Sequence, residues 1–434
     1  RLQAAEFLYE ARLFPDLEYT FKHALTHEVA SQSLLQERRR ALHARIVEVF
    51  ETLYPDRVTE RVNWLAHHAF RGEVWDKALT YLRHTERTFP PGMDTDPGGG
   101  PESLGHLWWT GDYDRAVTVG QRDLIVATDF GHFALKVVTN FRLGQVYHAL
   151  GDYPRAIDFF KRNMKALDGE LVHERFDMAG LPSVLSRAWL ASCLAECGEF
   201  AEGIACGEEG VRIAEEVDDT YSLIVACVGM GNLYLLKGDL VKAISALERG
   251  LVLDQVANIP VLFPFIASPL GSAYARCGRV AEALSLLERS VEQAVSMKLM
   301  AHHSLRFARL SEANLLAGQV DRAIQFAGQA LNLSREHKEH GHRAYALLLL
   351  GDIESLGDAP QSEKAEASYR AALALAEDLD MRPLVSLCRW SLGQLYRRAG
   401  SGQKADEYLT TATLLLREMD MQCWMERVQA SSEG

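Results

Sequence analysis

The sequence predicts an all-α protein, a solenoid of stacked helical hairpins, and three observations carry that prediction. First, a short phrase recurs along the 434 residues. It reads Gly111-Asp-Tyr-Asp-Arg-Ala116, Gly151-Asp-Tyr-Pro-Arg-Ala156, Gly198-Glu-Phe-Ala-Glu-Gly203 and Gly238-Asp-Leu-Val-Lys-Ala243. It continues at Gly278, Gly318, Gly357 and Gly400, and successive glycines stand 40, 47, 40, 40, 40, 39 and 43 residues apart. A fixed period in this range belongs to stacked hairpins, each unable to bury its apolar face alone. Second, a small residue precedes most of these glycines by about seven positions, with a tyrosine three beyond it, as in Gly144-Gln-Val-Tyr147, Gly231-Asn-Leu-Tyr234, Gly271-Ser-Ala-Tyr274 and Gly393-Gln-Leu-Tyr396. A glycine there admits a close helix, and the aromatic is expected to fill the space beside it. Third, the stretch after each spaced glycine is amphipathic. Ala243, Ile244, Leu247, Leu251 and Val252 form one apolar stripe, the pattern of a helix with one buried face. The spaced glycine closes the first helix in a left-handed cap, and the Asp after it caps the second.

Along the chain, residues 1–56 differ from the rest. Leu17, Tyr19 and Phe21 alternate with polar residues, predicting one short strand. Helices are expected at about 23–36 and 37–54, and strand followed by helices fits the end of a winged-helix module. Residues 57–89 read as a divergent first hairpin around Gly72 and Trp75-Asp-Lys-Ala78. Residues 90–103 hold four prolines and four glycines between Pro90 and Pro101, a linker composition. The repeat array then runs over 104–425, with a disordered tail expected at 426–434. The helix before Gly111 is too short to match its counterparts, so Trp108 and Trp109 need a cover from elsewhere. The longest spacing, Gly151 to Gly198, places extra residues near 167–182, and Phe176, Met178 and Leu181 would put apolar side chains on that loop. Such a loop serves as a binding face or as a structural plug.

Composition narrows the function classes. The chain is 48% hydrophobic and 24% charged, ordinary for a folded domain. Its net charge of −13, from 46 basic and 59 acidic side chains, disfavours nonspecific binding to nucleic acid or anionic membranes. Arg38-Arg39-Arg40 is the densest basic run, read as a solvated helix face. The seven cysteines are scattered. Cys193 and Cys197 could share a helix face, but no second pair completes a zinc site. Reduced cysteines packed as small apolar groups point to a reducing, cytoplasmic compartment. No apolar run long enough to span a membrane is expected. The chain opens at Arg1 as if inside a domain, which suggests a piece of a longer cytoplasmic protein.

The small–aromatic–small pattern resembles the tetratricopeptide repeat, with a period nearer 40 than the usual 34, and implies a right-handed superhelix. The run from Leu13 to Ala30 (LFPDLEYTFKHALTHEVA), then Ser33 to His43 (SLLQERRRALH), resembles a segment of large bacterial signalling ATPases of the STAND/AAA type. There it joins a nucleotide-binding module to the repeats. Met178 to Trp189 and Tyr221 to Ala226 also resemble the branch of that family with an N-terminal class III adenylate or guanylate cyclase domain. Ser31 stands where that family usually has tyrosine, and the 90–103 linker takes the place of some hairpins.

The resemblance implies that the first helices of the hairpins line a concave surface. The implied groove residues are Phe141, Gln145, His148, Ser192, Asn232, Ser272, Glu312, Asp352, Trp390, Gln394 and Arg397, with packing between hairpins or solvation as the plain alternative. This polar and aromatic mixture suits a peptide or protein groove. No phosphate loop or Gly-x-Ser-x-Gly elbow is present. His23 and His27 lie four apart but lack the glutamate that a metalloprotease motif requires. His337, His340 and His342 lack further ligands. His67-His68 and His302-His303 are adjacent pairs, whose members diverge on a helix. No cofactor or metal is expected. The implied function is a non-catalytic regulatory region of a multidomain signalling ATPase or nucleotide cyclase, of roughly nine hairpins. Its partner would be a protein segment, a small effector or the upstream domains themselves. The repeat region of an ATPase-type transcription activator and a stand-alone assembly scaffold are the alternatives.

Overall fold

The computed structural model describes residues 8–12, 18–21 and 36–58, scattered positions from 61 to 77, 103–356 except 130, and 359–430. The expected helix at 23–36 with His23, His27 and Ser31, the 90–101 run and Gly357 lie outside the described residues, as does most of the divergent hairpin. Two compact units divide the chain, residues 1–94 and 95–434.

In the first unit, β1 (Leu8–Arg12) pairs antiparallel with β2 (Glu18–Phe21), Leu8 opposite Phe21 and Glu10 opposite Tyr19. The alternation at Leu17–Phe21 marked β2. Its partner β1 went unmarked because Leu8-Tyr-Glu-Ala-Arg12 does not alternate. Helix α1 (Gln36–Leu53) follows, with Val47 fully buried and Arg38 and Arg40 exposed. Gly72 lies so close to the Ala44 backbone that a Cβ would not fit. His43 and His68 meet through their Nδ1 atoms at 2.7 Å.

The second unit is the array. Its helices pair as α2 (Leu104–Thr110) with α3 (Tyr113–Asp129), α4 (Phe133–Leu150) with α5 (Tyr153–Ala166), α6 (Pro182–Cys197) with α7 (Phe200–Glu216), and α8 (Thr220–Lys237) with α9 (Leu240–Ala257). Then come α10 (Phe263–Arg276) with α11 (Val280–Ser296), α12 (His303–Leu316) with α13 (Val320–Glu336), α14 (His340–Glu354) with α15 (Ala359–Asp378), and α16 (Arg382–Arg398) with α17 (Gly402–Glu418). Helix α18 (Gln422–Ala430) follows them, so helix extends beyond residue 425, where a tail was expected.

The glycine signal reads as expected. Gly111, Gly151, Gly198, Gly238, Gly278, Gly318 and Gly400 all carry φ between 73° and 92°, closing the preceding helices in the left-handed region that favours glycine. The next turn is capped by Asp152 and Asp239, whose Oδ1 atoms each accept a backbone N–H at 3.2 Å. The role of the aromatics is a correction. The space beside Gly144 is filled by Phe160, and that beside Gly271 by Leu287, both from the second helix of the same hairpin. Tyr147 instead stacks on Phe159, ring centroids 5.5 Å apart. The first helices are buried on nearly every face, α4 continuously from Val137 to Ala149, so only the second helices carry a clear apolar stripe.

The larger departure is how the array closes. The tips of the early hairpins lie against the loops and helices of later ones, along what is here termed the seam. Trp109 Nε1 donates to the Met297 carbonyl (3.1 Å), and the Met300 N–H donates back to the Trp109 carbonyl (2.8 Å). Tyr113 Oη donates to Glu339 (2.8 Å), Lys338 to Asp114 (2.5 Å), and Tyr345 Oη to Glu196 (2.7 Å). Lys237 donates to Asp420 (2.9 Å) at the far end. These partners stand 149 to 226 residues apart in sequence. The cover that Trp108 and Trp109 require is therefore the 297–302 segment. Helix α8 is long and apolar enough by composition to cross a membrane, contrary to the expectation from sequence. Here its Ile224 and Leu233 are fully buried in the core.

Candidate functional site

Closing the seam shapes a chamber that stays partly open. Its walls come from the first helices α2, α4, α6, α8, α10 and α12, whose inner faces converge because each stacks on the next. The space open to water centres is about 160 Å³, room for on the order of ten waters.

Aromatic rings form one side. Trp108 stacks on Phe265 at 6.1 Å and meets the edge of Trp189 at 5.8 Å. Arg142, Arg306 and Arg309 against Glu196 are the charged residues of the lining; three cations less one carboxylate leave it at +2. The Arg306 guanidinium lies 5.1 Å over the Phe265 ring and donates to the Ala301 carbonyl (2.6 Å). Arg309 donates to Ser268 (3.1 Å) and Asn232 (3.0 Å). Burial lowers Arg306 to about 9 and Arg309 to about 10, which leaves both cationic at neutral pH. Burial also pushes His148 down to about 3 and His302 well below its usual value, so both rings are neutral. Burial pushes the Glu196 carboxyl up, against the Tyr345 hydroxyl that donates to it.

Behind the chamber sits a saturated network. Glu339, fully buried, accepts from Tyr113 and Ser304 and pairs with His342 at 3.2 Å. Burial raises its carboxyl, but His342 and these donors outweigh that and hold it below the ordinary value.

The sequence-derived residues divide. Phe141, Gln145, His148, Ser192 and Asn232 come together in the chamber wall, joined by Met178 from the 168–181 loop. Phe176 packs on Phe133 at 5.6 Å, and Leu181 is buried beside Val184 and Ile213; this part of the loop is structural. Ser272 donates to Glu312, itself paired with Arg276 (2.9 Å). Asp352 accepts from Tyr369 (2.8 Å), and burial raises it to about 7. Trp390 packs near Leu415, and Gln394 and Arg397 follow it along α16. These six are not brought to the chamber. Sequence reasoning missed Trp189, Phe265, His302, Arg306 and Arg309. For the last two a signal existed: two arginines one turn apart on the inner, mostly apolar helix of a hairpin.

Other expectations can be placed. Cys193, Cys197, Cys206, Cys227 and Cys388 are buried and Cys277 and Cys423 exposed, with burial pushing the Cys197 thiol up to about 12. Among the described residues no three His, Cys, Asp or Glu side chains gather as metal ligands.

Two segments, 141–171 and 264–289, match models of the tetratricopeptide repeat. No curated protein matches the chain in sequence. Among solved structures, a Rap protein complexed with competence and sporulation factor is similar at a TM-score of 0.52 and 11% identity, over 89% of this chain and 99% of that one. The Rap conjugation gene regulator of plasmid pLS20, in complex with the Phr* peptide, is similar at 0.52 and 14% identity, over 84% of this chain and 96% of that one. A Signal Transduction ATPase with Numerous Domains with a tetratricopeptide repeat sensor, from Pyrococcus horikoshii, aligns at 0.43 and 13% identity; the match takes in 99% of this chain and 59% of that one. The repeat models and the two Rap structures establish the fold: the chain carries tetratricopeptide-type repeats in a helical solenoid. No catalytic family is indicated by them.

Proposed function

We propose that the chain is a regulatory interaction region whose chamber receives an effector, a protein segment or a small molecule, and whose seam reports that occupancy to an attached module. The observation that carries this reading is the coupling of chamber and seam. Glu196 and the Trp108–Trp109 pair belong to both, so a ligand that moves the wall moves the closure. Packed elements with two arrangements are the means by which a small local change becomes a global one. The two Rap structures of like fold are complexes with a peptide or a factor, which supports, by analogy of fold, a ligand-binding role. The attached module, by the resemblance of residues 13–43, is the nucleotide-binding module of a bacterial signalling ATPase, with a cyclase domain further upstream, in the cytoplasm.

The test fills the chamber. Ser192→Trp adds an indole where the Ser192 hydroxyl now donates to the Ala188 carbonyl (3.2 Å). In a polypeptide that carries this chain with its ATPase module, the filled variant is expected to shift ATP hydrolysis as removal of residues 57–434 does. Amide exchange at the seam, read at residues 297–301 and 337–341, should change with it. Unchanged hydrolysis and unchanged exchange would leave the array a scaffold.

A further inference from the structure

The charge and the unsatisfied nitrogens of the chamber specify its ligand more narrowly, given the effector-binding reading above. We propose that the chamber binds a small hydrophobic carboxylate, an arylalkanoate or branched-chain acid, with its anion on Arg306 and Arg309 and its apolar body between Trp108, Trp189 and Phe265.

The electrostatic argument comes first. Arg306 and Arg309 stand one turn apart on α12 and face the same cavity. Among the described residues, every hydrogen bond they make goes to a neutral acceptor: the Ala301 carbonyl, Ser268 and Asn232. The nearby carboxylates are committed elsewhere. Glu339 is held by Tyr113, Ser304 and His342, Glu196 by Tyr345, and Glu312 by Arg276. Two buried cations without an ion pair cost free energy unless an anion completes the site. A carboxylate suits a guanidinium because two parallel N–H bonds can reach its two oxygens.

The unsatisfied atoms agree. Arg306 is 1% exposed and its Nε has no partner among the described residues. Trp108 Nε1, His148 Nδ1 and His302 Nε2, in the same wall, have none either. Buried polar groups are nearly always satisfied in folded proteins, so four in one cavity mark a place where another molecule supplies the bonds.

Size and shape favour a small anion with an apolar body. A volume of about 160 Å³ holds roughly ten to twelve non-hydrogen atoms when compared with its capacity for waters. Flat, stacked indole and phenyl walls favour a ring or a branched chain over a purely polar anion. The chain's overall charge of −13 makes this cationic interior a local feature rather than a reflection of the whole.

The experiment titrates the chain with 3-phenylpropionate and 4-methylpentanoate, each beside its primary amide, by calorimetry and tryptophan fluorescence. At least one acid is expected to bind at least about tenfold tighter than its amide, the discrimination of a charged hydrogen bond. Arg309→Gln, which keeps hydrogen-bonding capacity toward Ser268 and Asn232, should remove that preference while circular dichroism reports an unchanged fold. Equal binding of acid and amide, no binding of any acid, or a preference that survives Arg309→Gln overturns the proposal. A further arm uses Gly-Gly-Phe with a free carboxylate. Its binding, with none by the small acids, would assign the anion to a peptide and also overturn it. The filled variant Ser192→Trp separates the two readings. If it binds the acids as the wild type does, the chamber itself is not the receptor; if only the acid preference fails, the chamber stands and the anion assignment falls.

Discussion

The same tip motif occupies two environments in this molecule. Gly151 and Gly278 have nearly the same backbone, φ 84° and 90°, and each opens a repeat phrase that closes on an alanine, Ala156 and Ala283. A Cβ at Gly151 would lie 2.9 Å from the Gly341 backbone nitrogen across the seam, whereas one at Gly278 would meet nothing. Gly111, Gly198 and Gly238 likewise abut His337, Met419 and Trp424, while Gly318 and Gly400 face open space. The same left-handed glycine thus carries different loads. Early tips end a helix and close the superhelix; later ones only end a helix.

The largest test of that division is at the buried polar core of the seam. Glu339→Ala leaves Tyr113, Ser304 and His342 buried without their shared acceptor, and a loss of about 3–5 kcal/mol is expected in urea unfolding. A loss near 1 kcal/mol would mean that the network does not hold the two turns together.

Next comes the matched pair of glycines. Gly278→Ala should cost about 1–2 kcal/mol for its left-handed backbone alone. Gly151→Ala carries the same penalty plus roughly 1–3 kcal/mol of overpacking against a backbone that cannot turn aside. Chemical denaturation midpoints measure both. Equal losses would dissolve the distinction between seam and free tips.

That distinction also shows what was legible. The hairpins, the glycine closures and the Asp caps follow from local chemistry, since each involves residues a few positions apart. The seam joins residues up to 226 apart, and its placement depends on the pitch accumulated over several hairpins, which no short pattern encodes. Hence Phe141, Gln145, His148, Ser192 and Asn232, one early run of inner-helix residues, meet in one chamber. Ser272, Glu312, Asp352, Trp390, Gln394 and Arg397 were chosen by the same rule and do not. Arg309 escaped because the resemblance pointed only to Glu312 on α12.

Acidity separates the two regions with opposite signs. Glu339, on the seam, is held below its ordinary value, so its contribution is present above the unfolded value of about 4.5 and is lost as pH falls through its folded value. Asp352, away from the seam tips, is raised from 3.8 to about 7. Its contribution is fully present below 3.8 and is lost as pH rises through 7. Thermal melting of the wild type should therefore weaken as pH rises from about 4 to about 7 on this account, and Asp352→Asn should flatten that slope. If Asp352→Asn leaves the slope untouched, the carboxyl is not desolvated as its position implies.

The smallest effect belongs to the outer rim of the seam. Lys338 pairs with Asp114 with both side chains more than half exposed. Solvent screens such a pair, and each ordered side chain surrenders entropy, so Lys338→Ala should cost about 0–1 kcal/mol. Raising salt to about 1 M, where charges are screened within roughly 3 Å, should remove what remains. The buried Glu339 network, shielded from ions, should lose much less at that salt. A rim substitution costing more than about 2 kcal/mol, or a Glu339→Ala penalty that vanishes in salt, would invert the ranking. The closure would then depend on surface charge rather than on its buried core, and an effector in the chamber would have no rigid contact through which to act on it.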